Sequence, residues 1–595
     1  MTVKQKTRDG IPEKYKWHLY DIFANDDLWK EEYEYILTHL AELEAFQGKL
    51  TSGATISECF SLYNSLAQRM SLVIAYAHLK HHEDMSLPRY QSMKDQSVGC
   101  AVKLSGASAF IEPEIISADE SVINAFVDAQ PIYAHYIQNL LRSKAHVRSS
   151  EVEELLAHAG EIADASYNIF SMLESADMKF GTVTDEEGRE VELTHGRFIS
   201  FMESKDRTVR ENVFKTFYRA FIAHKNTLAS AYYGSVKSDI FFSRAWNYPS
   251  ALEASLFDNN IPRSVCDSLI QEVNNHLPHL HKYMALRKKR LNVDELHMYD
   301  IYAPIVKDAD TKIEYEEAKD TVLKALAPLG EEYCSVVKRG FDSGWIDVYE
   351  SANKHTGAYS WDITFGVHPY VLLNFDNRID DMFTLAHEMG HALHNYYTET
   401  TQPFIYAGYS IFAAEVASTV NETLLTNYLL KTLTDPDQRA YVINHYLEQF
   451  RTTLFRQTMF AEFEMKAHEM AERDEPLTVE NLCGIYRELN ERYYGKDMII
   501  DNEIDYEWAR IPHFYNAFYV YQYATGISAA QALSHKILTE GRPAVDAYLE
   551  FLKCGASVYP IDALKKAGVD MTTSKPVKSA MEIFVELVDK MEGLA

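Results

Sequence analysis

In the segment Leu385–His394, His387 and His391 lie four positions apart, and Glu388 directly follows the first of them. On an α-helix, residues four apart lie one above the other on the same face, so both imidazoles can bind one tetrahedral Zn²⁺ ion. Glu388 can then act as a general base, accepting a proton from water that the metal acidifies and passing it to a leaving amine. The H-E-x-x-H spacing therefore predicts a hydrolytic zinc centre, although so short a motif also arises by chance in ordinary amphipathic helices.

The residues around this motif predict a buried helix. Asp380 and Asp381 can cap its N-terminus. The apolar positions that would bury it are Met382, Phe383, Leu385, Ala386, Met389, Ala392 and Leu393. The predicted site therefore lies on a core helix.

A second predicted helix offers a third ligand. It follows Gly408 and an N-capping Ser410. Glu415, Ser418 and Glu422 recur on one of its faces, at i, i+3 and i+7. We predict that Glu415 is the third ligand and that Glu422 supports the ligands from outside.

His394 is the alternative third ligand, because it follows His391 by three residues and lies on the metal side of the same helix. Glu415 is preferred, because two histidines from one helix and a carboxylate from another leave a fourth position open for water, as in hydrolytic His2Glu zinc sites. His394 would then contact a ligand or the substrate.

Residues 513–526 are dense in aromatic and hydroxyl groups, and Tyr515, Tyr519 and Tyr523 are spaced to line one face of a helix. Such a stripe usually packs in a core. Peptide hydrolysis, however, needs hydrogen-bond donors for an oxyanion, and a tyrosine hydroxyl or a histidine N–H can provide them. The predicted zinc site favours this second interpretation.

The motif His-Glu-Met-Gly-His-Ala-Leu-His, followed by Glu-Val-Ala-Ser, resembles the thimet oligopeptidase family, M3, and within it the oligoendopeptidase F group. Similar segments extend over most of the chain: Ala251–Phe257, Lys354–Ser360, Pro369–Phe375, Ile511–Tyr515 and Tyr519–Gly526. The resemblance implies a zinc endopeptidase with one Zn²⁺ per chain, which cuts short unfolded peptides and excludes folded proteins. It also implies an active site in a deep channel between two largely helical lobes.

The family carries a histidine and tyrosines that stabilise the oxyanion. The resemblance therefore implies this role for His513, and among the tyrosines first for Tyr523 and second for Tyr519.

The length and charge of the chain limit its architecture and its partners. At 595 residues it is too long for one simple core, which predicts at least two lobes. It has 58 Lys and Arg against 87 Asp and Glu, a net charge of −29. This excess opposes binding to nucleic acid or to an anionic membrane, and we expect neither as a partner.

The six cysteines are far apart and include no C-x-x-C pair, which predicts reduced thiols: Cys59, Cys100, Cys266, Cys334, Cys483 and Cys554. The first ten residues lack the apolar stretch of a signal peptide, and no apolar run approaches the thickness of a bilayer. We therefore expect a cytoplasmic protein.

Helical periodicity dominates the chain and predicts a mainly α fold. We expect an N-terminal helical lobe over residues 1–195, with a β-hairpin near residues 178–193, and an M3-like catalytic domain over residues 196–595. The apolar run Tyr370–Phe375 predicts a small β element next to the H-E-x-x-H helix, either a buried strand or an exposed edge that pairs with a peptide substrate. Residues 437–475 predict long helices that form a wall without a chemical role.

The predicted function is that of a zinc oligoendopeptidase that hydrolyses internal bonds of short peptides. Two alternatives fit the same residues. A metallocarboxypeptidase can combine H-E-x-x-H with a downstream glutamate but releases single C-terminal residues. A non-catalytic peptide-binding protein could keep a structural metal, although it would have no need of Glu388 as a base.

Overall fold

The structure is a computed structural model that describes residues 7–306 and 312–594. Most of these residues are helical and the strands are short. The predicted mainly α fold is therefore confirmed. Among the helices that the structure describes, none combines the length and the apolar character needed to cross a bilayer.

The helices of the first half of the chain are α1 (Asp26–Glu44), α2 (Gly53–Glu83), α3 (Pro88–Ser108), α4 (Ile111–Ser117), α5 (Glu120–Ala129), α6 (Ala134–Arg142), α7 (Ser150–Ala163), α8 (Ala165–Met172), α9 (His195–Met202), α10 (Arg207–Ala223), α11 (Lys225–Ala245), α12 (Ala251–Phe257), α13 (Arg263–Asn275) and α14 (Leu277–Leu291).

The helices of the second half are α15 (Tyr315–Ala325), α16 (Gly330–Asp342), α17 (Ile379–Thr401), α18 (Ile411–Thr432), α19 (Pro436–Gln449), α20 (Arg456–Glu472), α21 (Val479–Tyr494), α22 (Tyr521–Glu540), α23 (Arg542–Leu552), α24 (Pro560–Lys566) and α25 (Lys575–Gly593). The strands are β1 (Thr182–Thr184), β2 (Glu190–Glu192), β3 (Leu296–His297), β4 (Ile346–Asp347), β5 (Tyr359–Ser360), β6 (Val371–Leu372) and β7 (Met498–Ile499).

The described residues form two compact units, each assembled from three separate segments. The first unit combines residues 7–144, 312–428 and 533–569, and the second combines residues 145–306, 429–532 and 570–594. The predicted division between residues 195 and 196 lies inside the second unit. The compact units therefore do not follow that division of the sequence.

In the part of the chain that the structure describes, three small sheets accompany the helices. Strands β1 and β2 form the predicted antiparallel hairpin in the second unit, with Val183 opposite Val191. In the same unit β3 and β7 pair in parallel. In the first unit β4, β6 and β5 form a three-stranded sheet with β6 in the middle, parallel to β4 and antiparallel to β5.

The central place of β6 decides between the two interpretations of the Tyr370–Phe375 run. Val371 and Leu372 are buried, and both edges of β6 are paired within the sheet. The prediction of an exposed edge at this strand is therefore wrong, because β4 and β5 already take up its main-chain hydrogen bonds. Strand β5 lies at one edge of the sheet, and it contacts α17.

Residues next to and within β6 also join the core of the N-terminal helices. Tyr370 and Leu372 lie in one hydrophobic cluster with residues of α1 and α2, among them Trp29 and Tyr76. The Tyr370 hydroxyl donates to the main-chain oxygen of His18 over 3.0 Å. Burying these side chains fixes the sheet against the N-terminal helices and so holds the strands that flank α17.

A buried lysine holds the end of this sheet together. The Lys354 ammonium donates to the main-chain oxygens of Asp347, Tyr349 and Leu373, and it pairs with the Asp347 carboxylate at 2.7 Å. Arg8 binds the same carboxylate at 2.7 Å. Lys354 therefore satisfies several buried acceptors of the sheet at once.

We expect Lys354→Met to lower the free energy of unfolding by about 3 kcal/mol, because the apolar side chain leaves these buried acceptors without their donor. Chemical unfolding of the two proteins measures the loss. Lys338→Met is the matched control, since Lys338 pairs with Asp342 at the exposed surface of α16 and should cost far less. Equal losses for the two variants would contradict this account of the sheet.

Candidate metal centre

Helix α17 carries the H-E-x-x-H motif and begins at Ile379. The Asp381 carboxylate accepts main-chain N–H bonds from Asp376 and Arg378 over 2.9 and 2.8 Å, so it caps the helix from within the first turn. All seven apolar positions predicted to bury the helix are buried. The apolar pattern therefore accounts for the place of the helix in the core, whereas the helix begins one residue before the predicted caps, with Arg378 at the N-cap position.

Helix α18 packs closely against α17. A β-carbon on Gly390 would lie 2.5 Å from the α-carbon of Ser418, so only glycine permits this approach. The Asn421 amide also donates to the main-chain oxygen of Ala386 over 3.1 Å. These contacts bring the polar face of α18 onto the metal face of α17.

His387, His391 and Glu415 bring three ligand atoms together in the first unit. Nε2 of His387 and Nε2 of His391 are 3.2 Å apart, and Oε2 of Glu415 lies 3.6 and 3.8 Å from them. Within the described ranges, this is the group of His, Cys, Asp and Glu residues whose ligand atoms all lie within 4.8 Å of one another. The structure therefore brings the preferred ligand set together.

These distances fit a tetrahedral metal ion. Ligand distances of about 2.0 Å give a tetrahedron with edges of about 3.3 Å, close to the three separations observed. Two imidazole nitrogens and one carboxylate oxygen are also the donor set of hydrolytic zinc sites. Glu388 and Glu422 add further negative charge nearby, and a divalent cation would offset it.

Glu422 binds the far side of His387. Its Oε1 lies 2.5 Å from Nδ1 of His387, so the ring donates from Nδ1 and presents Nε2 to the other ligands. Burial by itself lowers the pKa of His387, but the carboxylate of Glu422 outweighs it and raises that pKa to about 9. Metal binding at Nε2 therefore displaces a proton.

We expect Glu422→Ala to weaken metal binding by about 10- to 100-fold, because His387 loses the partner that sets its tautomer and orientation. Competition with a chromogenic chelator measures the affinity. Glu422→Gln is the matched control, since its amide oxygen can still accept from Nδ1, and its loss should be smaller. Wild-type affinity in the alanine variant would show that Glu422 does not orient the ligand.

Glu388 follows His387 and is only 7% exposed. The main-chain N–H of Ser360 in β5 lies near the Glu388 carboxylate and favours its charged form. Burial raises the pKa of Glu388 to about 7, with His387 opposing the shift and Glu415 adding to it. A carboxylate with such a pKa can both take and return a proton near neutral pH.

His394 lies apart from the three-ligand cluster. Its ring stacks on Tyr409 with centroids 3.7 Å apart, and it also packs against Phe551. Burial lowers its pKa to about 3, so the ring is neutral. His394 therefore packs in the core next to the three-ligand cluster. Glu415 remains our proposed third ligand.

His513, Tyr519 and Tyr523 lie together in the second unit. The ring centroids of His513 and Tyr519 are 5.9 Å apart, those of His513 and Tyr523 are 6.1 Å apart, and those of the two tyrosines are 5.5 Å apart. Burial, and then the positive charge of Arg456, lower the pKa of His513. Its ring is therefore neutral at pH 7.

The prediction that Tyr515, Tyr519 and Tyr523 line one helix is wrong. A 3-10 helix ends at Tyr515, and α22 begins only at Tyr521. A turn at residues 516–519 separates the two helices, and the positive φ of Phe518 within it interrupts helical geometry. Tyr515 instead packs on Phe170, with ring centroids 4.5 Å apart.

The sequence did not reveal two contacts at the metal centre. The Ser360 N–H reaches Glu388 from a strand 28 residues away, and Gly390 allows the close approach of α18. Glycine at the second variable position of the motif is the one local signal that could have indicated a close helix contact.

Comparison with known proteins agrees with this geometry. The model of peptidase family M3 matches residues 200–583, and that of oligopeptidase F matches residues 114–180. The chain is 47% identical to oligopeptidase PepF of Bacillus subtilis (strain 168), over 99% of this chain and 88% of that protein. It is 41% identical to the group B oligopeptidase PepB of Streptococcus agalactiae serotype III (strain NEM316), over 99% and 98% of the two chains.

A solved structure is also similar. The crystal structure of oligoendopeptidase-F from Enterococcus faecium is 40% identical in sequence and superposes with a TM-score of 0.75, over 96% of this chain and 99% of the other.

The predicted division between residues 195 and 196 falls between the two ranges matched by family models and stays a prediction.

The resemblance seen in the sequence motifs is confirmed, and the chain belongs to the oligoendopeptidase F group of peptidase family M3.

Proposed function

We propose that this peptidase is a zinc-dependent oligoendopeptidase that hydrolyses internal bonds of short, unfolded peptides, with one Zn²⁺ per chain. The observation that carries the proposal is the convergence of His387, His391 and Glu415, with Glu388 next to His387 on the same helix. Membership of family M3 supports peptide hydrolysis. The names of the relatives, which call them oligopeptidases or oligoendopeptidases, support short substrates and internal cleavage.

In the proposed reaction the two histidines and Glu415 would hold the metal, and Glu422 would orient His387. A Zn²⁺ ion bound there would supply Lewis acidity for a substrate carbonyl and for water. Glu388 takes the proton of the attacking water and passes it to the leaving amine. The nearby N–H of Ser360 favours the charged form of Glu388, which is the form that can take this proton.

We propose that His513 and a tyrosine donate to the oxyanion that develops on the substrate. Family membership supports this role, and so does the grouping of His513, Tyr519 and Tyr523 in one aromatic cluster of the second unit. The neutral ring of His513 can donate from one nitrogen, and each tyrosine hydroxyl can donate one hydrogen bond.

We expect Tyr523→Phe to lower kcat by about 10²- to 10³-fold with little change in KM, because the lost hydroxyl acts on charge that develops only in the transition state. Steady-state kinetics on one quenched peptide measures the change. Tyr519→Phe is the comparison within the same cluster and should lose less. A larger loss in Tyr519→Phe than in Tyr523→Phe would show that Tyr519, and not Tyr523, is the main oxyanion donor.

The experiment that tests the proposed function uses an internally quenched peptide blocked at both ends. Internal fragments seen by mass spectrometry, abolished by a chelator and restored by Zn²⁺, would support an oligoendopeptidase. A metallocarboxypeptidase would spare the blocked peptide and release single residues from one with a free C-terminus. A peptide-binding protein would cleave neither, despite stoichiometric metal, and a metal assay would tell zinc from Co²⁺ or Mn²⁺.

We also propose a cytoplasmic location with peptides as the partners and with neither nucleic acid nor membrane among them. The support for the location is the state of the six cysteines, all of which are free thiols. The net charge of −29 supports the exclusion of polyanionic partners.

A further inference from the structure

The turn between the His513 segment and α22 contains an unfavourable backbone conformation. The Tyr519 N–H donates to the main-chain oxygen of Asn516 over 3.2 Å, which closes a four-residue turn. Phe518, the third residue of this turn, has a φ of 57°. Glycine or asparagine ordinarily occupies such a position, because a β-carbon clashes with the backbone when φ is positive. Something outside the turn must therefore stabilise Phe518 in this conformation.

Two residues of α20 hold Phe518. Oε1 of Glu464 accepts the main-chain N–H of Phe518 over 3.1 Å. One helical turn later, the His468 ring packs against the Phe518 ring with centroids 4.5 Å apart. His468 is itself fixed by Asp239, whose carboxylate lies 3.2 Å from Nε2 of the ring. Phe518 is thus held both by its main chain and by its side chain.

Glu464 has little else to bind. Its side chain is fully buried, and among the residues that the structure describes its second oxygen, Oε2, has no hydrogen-bond partner. Burial raises the pKa of Glu464 well above its usual range. Burying a carboxyl group is costly, and such a group is usually satisfied by several hydrogen bonds. Glu464 is unusual because its one hydrogen bond goes to a strained turn.

The residues that follow this turn are those proposed to act on the oxyanion. Tyr519 is the next residue after Phe518, and Tyr523 lies in the first turn of α22. The orientation of the Phe518 peptide therefore sets where the Tyr519 ring lies and where α22 begins. A different φ at Phe518 would move both tyrosines relative to His513.

We propose that Glu464 is a positioning residue, which holds Phe518 at positive φ and thereby places Tyr519 and Tyr523 beside His513. This inference rests on the proposed function of the two tyrosines. It assigns a role in catalysis to a helix that the sequence indicated only as a wall.

Two substitutions separate the hydrogen bond from the volume of the side chain. Glu464→Gln keeps an amide oxygen that can accept the Phe518 N–H, whereas Glu464→Leu fills the site without an acceptor. We expect the leucine variant to lose about 10- to 100-fold in kcat with KM changed less than about twofold, and the glutamine variant to stay close to wild type. The melting temperature of the leucine variant should change little, because loss of the acceptor for the Phe518 N–H is offset by removal of the unpaired buried Oε2.

Hydrogen exchange measured by mass spectrometry tests the turn directly in the full chain. Residues 516–519 should exchange faster in Glu464→Leu than in wild type and at the wild-type rate in Glu464→Gln. Wild-type exchange and wild-type kcat in the leucine variant would overturn the proposal. If the wild-type chain cleaved no peptide, the proposed function would fail, while the exchange rates would still decide whether Glu464 holds the turn.

A second variant tests the strain itself. Glycine adopts positive φ without the help of an acceptor, so Glu464→Leu should reduce kcat less in a Phe518→Gly background than in the wild-type background. The Phe518→Gly single variant is the reference for that comparison, since it also loses the packing on His468. Equal fold-losses in the two backgrounds would show that Glu464 does not act through the conformation of Phe518.

Discussion

Glu388→Gln will lower kcat by about 10²- to 10⁴-fold, while the metal content stays at one ion per chain. Glutamine has the shape of glutamate and keeps an amide oxygen that can face the nearby Ser360 N–H. It cannot accept a proton from water or deliver one to the leaving amine. Kinetics on a quenched peptide and metal analysis of the same sample measure the two quantities.

Glu399→Gln is the matched control for this variant. Glu399 lies on the same helix, and burial raises its pKa to about 7, as it does for Glu388. Its carboxylate accepts the Thr364 N–H over 2.9 Å, a bond that glutamine can keep. We expect its activity to stay within about threefold of wild type. Similar losses of activity in the two variants, or loss of metal from Glu388→Gln, would contradict the assignment of Glu388 as the base.

Glu415→Ala will lose both the metal and the activity. Removing one of three ligands should weaken binding by more than the roughly 10- to 100-fold expected when an outer partner such as Glu422 is removed. Metal content after dialysis against a weak chelator measures the change. Added Zn²⁺ at high concentration should restore part of the activity if the variant is folded.

His394→Phe tests the alternative ligand. Phenylalanine keeps an aromatic ring against Tyr409 and Phe551 but cannot bind a metal. We expect this variant to retain its metal. Retention of zinc in Glu415→Ala together with its loss from His394→Phe would show that the carboxylate was the wrong choice of third ligand.

The sequence by itself determined the parts of the site that depend on one helix or on its helical spacing. The i, i+4 spacing of His387 and His391, the apolar face of α17 and the polar face of α18 follow from the 3.6-residue period, which depends on neighbouring residues alone. Burial of all seven predicted positions of α17 and the contact between Glu422 and His387 agree with that reasoning.

The tertiary structure alone decided how distant segments meet. The place of β6 inside its sheet, the reach of Ser360 to Glu388 and the hold of Glu464 on Phe518 each join residues that no periodic pattern relates. The helix predicted through Tyr515 and Tyr523 failed for the same reason, because a contact from α20 stabilises a turn that local preference disfavours. Such pairings depend on how whole elements pack, and that packing is a property of the complete fold.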